Sequence, residues 1–203
     1  MLGLMAAIIV NPKKIREFNS AESLYKWLSK YHEREDELWI KIYKVDSGLK
    51  SITPKEAIDA VLCWGWIDAV RKGLDEKSYL QRYTPRRSKS IWSQINVDNV
   101  ARLVKENRMT WHGLKHVEAA KSDGRWERAY ASGKDMKIPS DLQAAIEAKP
   151  QAKTMLGKLS AQNRFALAFQ MHHVRTESGR WKKIVAFVEM LERGDTIHPQ
   201  RRK

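Results

Sequence analysis

A single cysteine, Cys63, stands among the 203 residues, so no disulfide can form within the chain. It falls at the apolar end of a helical pattern, where a buried, inert thiol is the expected state rather than a nucleophile. The chain has no glycine-rich phosphate loop, no G-x-S-x-G elbow and no cysteine pair. Those absences remove the well-marked nucleotide-binding, hydrolase and zinc-thiolate classes. Long apolar runs are missing too. The opening stretch Met1–Val10 is apolar but too short to span a bilayer, and no basic segment leads it. It reads as a strand or a disordered leader, and the chain as a cytoplasmic protein without a transmembrane segment. Acidic residues are few against basic ones, 24 Asp and Glu against 38 Lys and Arg, for a formal charge of +14 and a pI near 9.9. That excess favours acidic partners such as nucleic acid, another polyanion, an anionic membrane surface or a phosphorylated ligand, against the plainer reading of a solvated basic surface.

What is present reads as an α+β chain. Asn19, with Glu22 three residues on, has capping-box spacing, and Leu24, Trp27, Leu28 and Tyr31 then fall on one helical face. The charged run His32–Glu37 follows. Leu38–Lys44 alternates like a half-buried strand, and Asp46-Ser47-Gly48 turns the chain. Thr53-Pro54-Lys55-Glu56 is the strongest local signal: an N-cap threonine, proline at the first helical position and glutamate at the third. The helix it opens stops at Gly65. Trp66–Arg71 and Tyr79–Thr84 read as the two strands of a hairpin ended by Pro85.

From Ser90 onward the periodicity is helical throughout. Starts are expected at Asn96 or Asp98, Thr110, Pro139, Pro150, Ser160 and Ser178, with His198–Lys203 as a mobile basic tail. The fold class is therefore a small antiparallel sheet with helices in the N-terminal part and an all-helical C-terminal part. A soft boundary at Gly133–Lys137 separates residues 1–132 from 133–203.

Chemistry-bearing residues concentrate between Cys63 and Asn96, which hold three of the eight tryptophans. Arg82, Arg86 and Arg87, joined by Lys89, form a cationic cluster whose guanidinium forks suit phosphate or carboxylate. Ser88 and Ser90 add hydroxyls, and the next helix adds free backbone N–H groups. The alternative is a solvated loop, or arginines paired with Asp68 and the His32–Glu37 run. Trp64, Trp66 and Trp92 suit either a stacking platform for bases or core packing. Trp66 and Asp68 share a strand face, where an ion-pair role for Asp68 outweighs an acid–base one. His112 and His116 are four apart, a spacing that can seat two metal ligands, but Gly113 stands where the zinc-protease pattern needs glutamate and no further ligand set is evident. The sequence thus points to no metal and no cofactor.

The segments LWIKIYK, EAIDAVLCWGWID, RYTPRRSKSIWSQIN and RMTWHGLKHVEAAKSDGRWERAY, followed by IPSDLQAAIEAKPQAKTMLGKLSAQNRFALAF, resemble the YdeI/OmpD-associated family of OmdA-like, bacteriocin-protection proteins. The likeness runs from about Phe18 to Leu191. The basic T-R-x-R-R-like motif usual in that family's final helices reads RTESGRWKKI here. The resemblance implies a bacterial cytosolic protein tied to stress or antimicrobial tolerance and carries over no catalytic residues. Its specific motifs coincide with Trp66, Asp68, Arg82, Arg86, Arg87, Ser90, Trp92, Ser93 and Asn96. Three roles follow for these residues: a module that binds nucleic acid or another polyanion, a pocket or enzyme for a small anionic ligand, or a lock between sheet and helices with Asn96 as a cap and Trp92 as core.

Overall fold

The computed structural model describes residues 9–133 and 135–200; the strand or leader expected at the N-terminus falls almost wholly outside them. Four strands form one sheet: β1 (Ile15–Arg16), β2 (Leu38–Tyr43), β3 (Trp66–Gly73) and β4 (Ser78–Pro85), in the order β1-β2-β4-β3. The β3–β4 hairpin and the β2–β4 pair are antiparallel, while the two-residue β1 lies parallel to β2. Eight α-helices complete the described residues: α1 (Ala21–Tyr31), α2 (Pro54–Cys63), α3 (Gln94–Lys105), α4 (Trp111–Ser122), α5 (Ser140–Glu147), α6 (Pro150–Lys158), α7 (Ala161–His172) and α8 (Glu177–Glu192). The α+β class with strands in the N-terminal half is as expected. No helix among the described residues is long and apolar enough to cross a membrane.

Backbone contacts divide the chain into two units. The first is the chain up to Trp92 with Asn96–Ala129, and the second is Ser93–Ile95 with the chain from Tyr130 on. The first unit has two apolar clusters. One gathers Leu24 and Leu28 of α1, Ile40 and Ile42 of β2, Val61 of α2, and Trp66 and Tyr83 of the hairpin. The other joins the end of α2 to α3 and α4 through Leu62, Cys63, Trp92, Leu103 and Val117. The second unit closes around Leu142, Ile146, Leu167, Met171, Phe187 and Leu191.

Local chemistry explains most element ends, with some corrections. Thr53 and Glu56 form the full reciprocal capping box. The cap of α1 is Ser20, not Asn19: its hydroxyl accepts from the Ser23 N–H at 3.2 Å. For α8 it is Thr176, not Ser178, accepting from Gly179. Helix α3 begins at Gln94, so Asn96 sits inside its first turn and is no cap. β2 is covered on both faces, because Trp39 is as buried as Leu38 and Ile40. The basic tail is not loose as far as Gln200. Asn163, 1% exposed, accepts from the His198 N–H at 2.8 Å and donates to the His198 carbonyl at 3.0 Å and the Gln200 side chain at 2.8 Å.

Candidate functional site

The site is built where α1, α2 and α4 end or begin against the hairpin. Two glycines set its geometry. Helix α2 ends at Trp64, and Gly65, at φ +73°, turns the chain into β3. A Cβ on Gly65 would lie 2.5 Å from the His112 carbonyl oxygen and 2.7 Å from the His116 ring. A Cβ on Gly113 would lie 2.6 Å from the carbonyl oxygens of both Leu62 and Cys63. Thr110, at the entry to α4, donates to that same Cys63 carbonyl from its hydroxyl at 2.6 Å and its N–H at 3.2 Å. Helix α4 is thereby pinned by its first turn to the last turn of α2.

That docking carries His112 to His32, the residue at which α1 ends. The two rings meet edge to face, centroids 4.0 Å apart. Trp64 stacks on His112 at 5.5 Å and lies 4.6 Å from His32. Both His32 nitrogens of interest are defined by the helix end. Its backbone N–H and its Nδ1 converge on the Leu28 carbonyl, at 2.9 and 2.8 Å. A carbonyl only accepts, so Nδ1 carries the ring proton and Nε2 presents a lone pair. The Trp66 indole donates to the His32 carbonyl at 3.1 Å and fixes the corner from below.

These groups open into a cleft of about 380 Å³, lined also by Arg86, Lys115 and His116 and by Glu33 and Glu35. Glu35 is ion-paired to Lys14. Glu33 Oε1 stands 3.4 Å from His112 Nδ1 and 3.8 Å from His32 Nε2. Burial, then the neighbouring His32, holds His112 below the usual imidazole range against the opposing pull of Glu33. Burial, then Lys115 and Arg86, does the same to His116.

Of the nine residues on which the sequence motifs coincide, Trp66 and Arg86 line this cleft and the other seven do not; Trp64, His112 and His116, weighed separately from the sequence, line it as well. The arginine cluster is taken apart. Arg82 pairs with Glu37 at 2.7 Å. Arg86 is 4% exposed, with its guanidinium 3.6 Å over the Trp92 ring and one nitrogen donating to the Ile91 carbonyl. Arg87 and Lys89 alone stay exposed, and the Arg87 N–H donates to the Ser90 hydroxyl. Trp66 and Trp92, 1% and 2% exposed, are core side chains and offer no stacking platform, because the sheet and α3–α4 close over them. Asp68 lies exposed on β3 in register with Tyr83, and a register irregularity follows it. Asn96 is buried in α3, and Ser93 belongs to the second unit, bridged to Tyr130. Sequence reasoning missed His32 and Glu33, which it took as part of a charged run. Sequence spacing relates His112 only to His116, where no metal is expected; in the structure it meets His32 and Glu33.

Residues 135–194 match the family described as Bacteriocin-protection, YdeI or OmpD-Associated. Residues 16–116 match a separate model, a domain of unknown function (DUF8412). The motifs between Trp64 and Asn96 that carried the resemblance, and every residue of the cleft, fall in the latter stretch. No curated protein and no solved structure matches the chain.

Proposed function

We propose, taking the bacteriocin-protection match of the C-terminal segment as the premise, that the chain is a protein of that connection whose N-terminal unit binds a small ligand bearing a phosphate or carboxylate group. The observation that carries this reading is the cleft itself. Its lining puts the Trp64 ring together with Arg86, Lys115 and His116. A flat wall with a few convergent polar groups is the usual form of a small-ligand site. The polyanion reading loses part of its local support, because Arg82 is paired with Glu37 and the tryptophans at 66 and 92 are buried.

The test is a thermal-shift panel on chelator-treated protein: inorganic phosphate, nucleoside monophosphates and aromatic carboxylates, each in titration. A ligand at a hundred times its Kd adds about 2.7 kcal/mol of stability, a shift of several degrees. At least one compound is expected to stabilise the protein saturably, and Lys115→Ala, an exposed position, is expected to weaken it without unfolding. A panel with no saturable member overturns the reading. Binding of oligonucleotides alone, falling steeply with salt, would restore the polyanion module in its place.

A further inference from the structure

We propose that His32 Nε2, His112 Nδ1 and Glu33 Oε1 form a binding site for one divalent transition-metal ion of the zinc class, at the edge of the cleft. The three donor atoms come from two helix termini 80 residues apart and all lie within 4.8 Å of one another. The contacts of Glu33 are 3.4 Å to His112 and 3.8 Å to His32. Donors about 2.0–2.1 Å from a tetrahedral zinc stand roughly 3.4 Å apart, so a modest closing of the triangle seats an ion.

The second observation is independent of that spacing. His32 Nδ1 already donates to the Leu28 carbonyl, which is how metal-ligating histidines are normally held: one ring N–H is anchored to a carbonyl and the other nitrogen is left as a lone pair. That lone pair, on His32 Nε2, is buried without a hydrogen-bond partner, and so is His112 Nδ1. Two unsatisfied ring nitrogens, side by side at one site, are an arrangement that folding alone disfavours. A metal ion satisfies both at once. Trp64 backs both rings and fixes the angle between them.

The donor set chooses the ion. Two imidazoles and one carboxylate, without thiolate, suit zinc, cobalt, nickel or copper rather than magnesium or calcium, which want oxygen ligands throughout. Three protein ligands leave a coordination position open, and the cleft is where it would open. The site shares the cleft with the small-ligand reading but needs no anion, and each is tested without the other's ligand.

The test is titration of chelator-stripped, phosphate-free protein with Zn²⁺ and Co²⁺, by calorimetry and visible absorption. One ion per chain with micromolar or tighter Kd is expected. His112→Ala and Glu33→Gln are each expected to weaken it by more than the roughly 10- to 100-fold that losing an outer-shell partner costs. Glu33 is mostly exposed, so its variant keeps the fold whatever His112→Ala does. On the wild-type chain, nitrogen NMR of the histidine rings is expected to show Zn²⁺ moving His32 Nε2 and His112 Nδ1. No binding, affinity unchanged in Glu33→Gln, or shifts confined to histidines 172, 173 or 198 would overturn the assignment and leave the pair as aromatic packing under Trp64.

Discussion

Gly113 and Cys63 touch backbone to backbone: a Cβ on Gly113 would stand 2.6 Å from the Cys63 carbonyl oxygen, which also accepts both hydrogen bonds of Thr110. This contact lets the first turn of α4 sit on the last turn of α2, and it delivers His112 to His32. Gly113→Ala is therefore expected to destabilise the protein, although alanine is the better helix former by about 1 kcal/mol. Of the three atoms the added Cβ would meet, the Met109 methyl can swing aside, but the carbonyl oxygens of Leu62 and Cys63 belong to a helix end and cannot. A net loss of about 1–3 kcal/mol follows, with a changed near-ultraviolet dichroism as Trp64 loses its stacking partner. Chemical denaturation checks it, and an unchanged midpoint would show that α4 is free to slide.

How much of this was legible beforehand depends on the range of the interaction. Thr53 and Glu56 cap α2 through contacts three residues apart, and their pattern is written in the local sequence. The hairpin Trp66–Gly73 with Ser78–Pro85 is equally local. Ser20 displaced Asn19 as a cap because neighbouring residues of equal capping power are separated only by backbone angles. Helix α3 started early because the Gln94 N–H is bound by Tyr130, a partner 36 positions away. Arg86 looked like a surface cation, as arginine usually is, until Trp92 supplied a ring face on which its guanidinium packs in the core. The pairing of His32 with His112 depends on two glycine contacts that no periodicity announces.

The thiol of Cys63 is expected to be inert in the native protein. It is fully buried, and burial, with Asp59 and Glu106 adding to it, pushes its pKa up to about 11 against the partial relief of Arg108. At pH 8 roughly one such thiol in a thousand is ionised, against about a quarter of free cysteine side chains. Alkylation by iodoacetamide is expected to run at least about a hundredfold slower than for free cysteine and to recover in denaturant. A native rate close to that of the free amino acid would refute the buried placement.

Asp141 gives the second unit an acid-sensitive contact. Arg180 of α8 grips its carboxylate with two guanidinium nitrogens, and the Leu142 N–H adds to the effect, holding it below the usual carboxylate range. Its folded pKa lies under the unfolded value of about 3.9, so the unfolded state binds the proton more readily. The stabilisation is complete above that value and disappears as pH falls through the folded one. Both side chains are more than a third exposed, so the contribution is less than about 1 kcal/mol. Asp141→Asn is expected to lower Tm at pH 7 and to match wild type near pH 2, as scanning calorimetry at the two pH values would read. A gap that widened on acidification would reverse the sign of this argument.

Asn163 holds the end of the described chain to α7, and its amide is used from both sides. Its oxygen accepts from the His198 N–H, and its nitrogen donates to the His198 carbonyl and to Gln200. The Gln200 side chain then closes the loop, accepting from the Ser160 N–H at 2.9 Å and donating to the Lys158 carbonyl at 3.0 Å. Asn163→Ala leaves the His198 N–H without its partner beside a buried position, while the His198 carbonyl keeps the Thr196 hydroxyl, and is expected to cost about 1–3 kcal/mol. Hydrogen exchange separates this from a general loosening: the His198 amide should lose protection while the amides of α7 around Leu167 keep theirs. Gln200→Ala in the Asn163→Ala background should then add less than it does in the wild type, because the two side chains act through one network. Fully additive effects in that cycle would mean that the tail is held by its packing and not by Asn163.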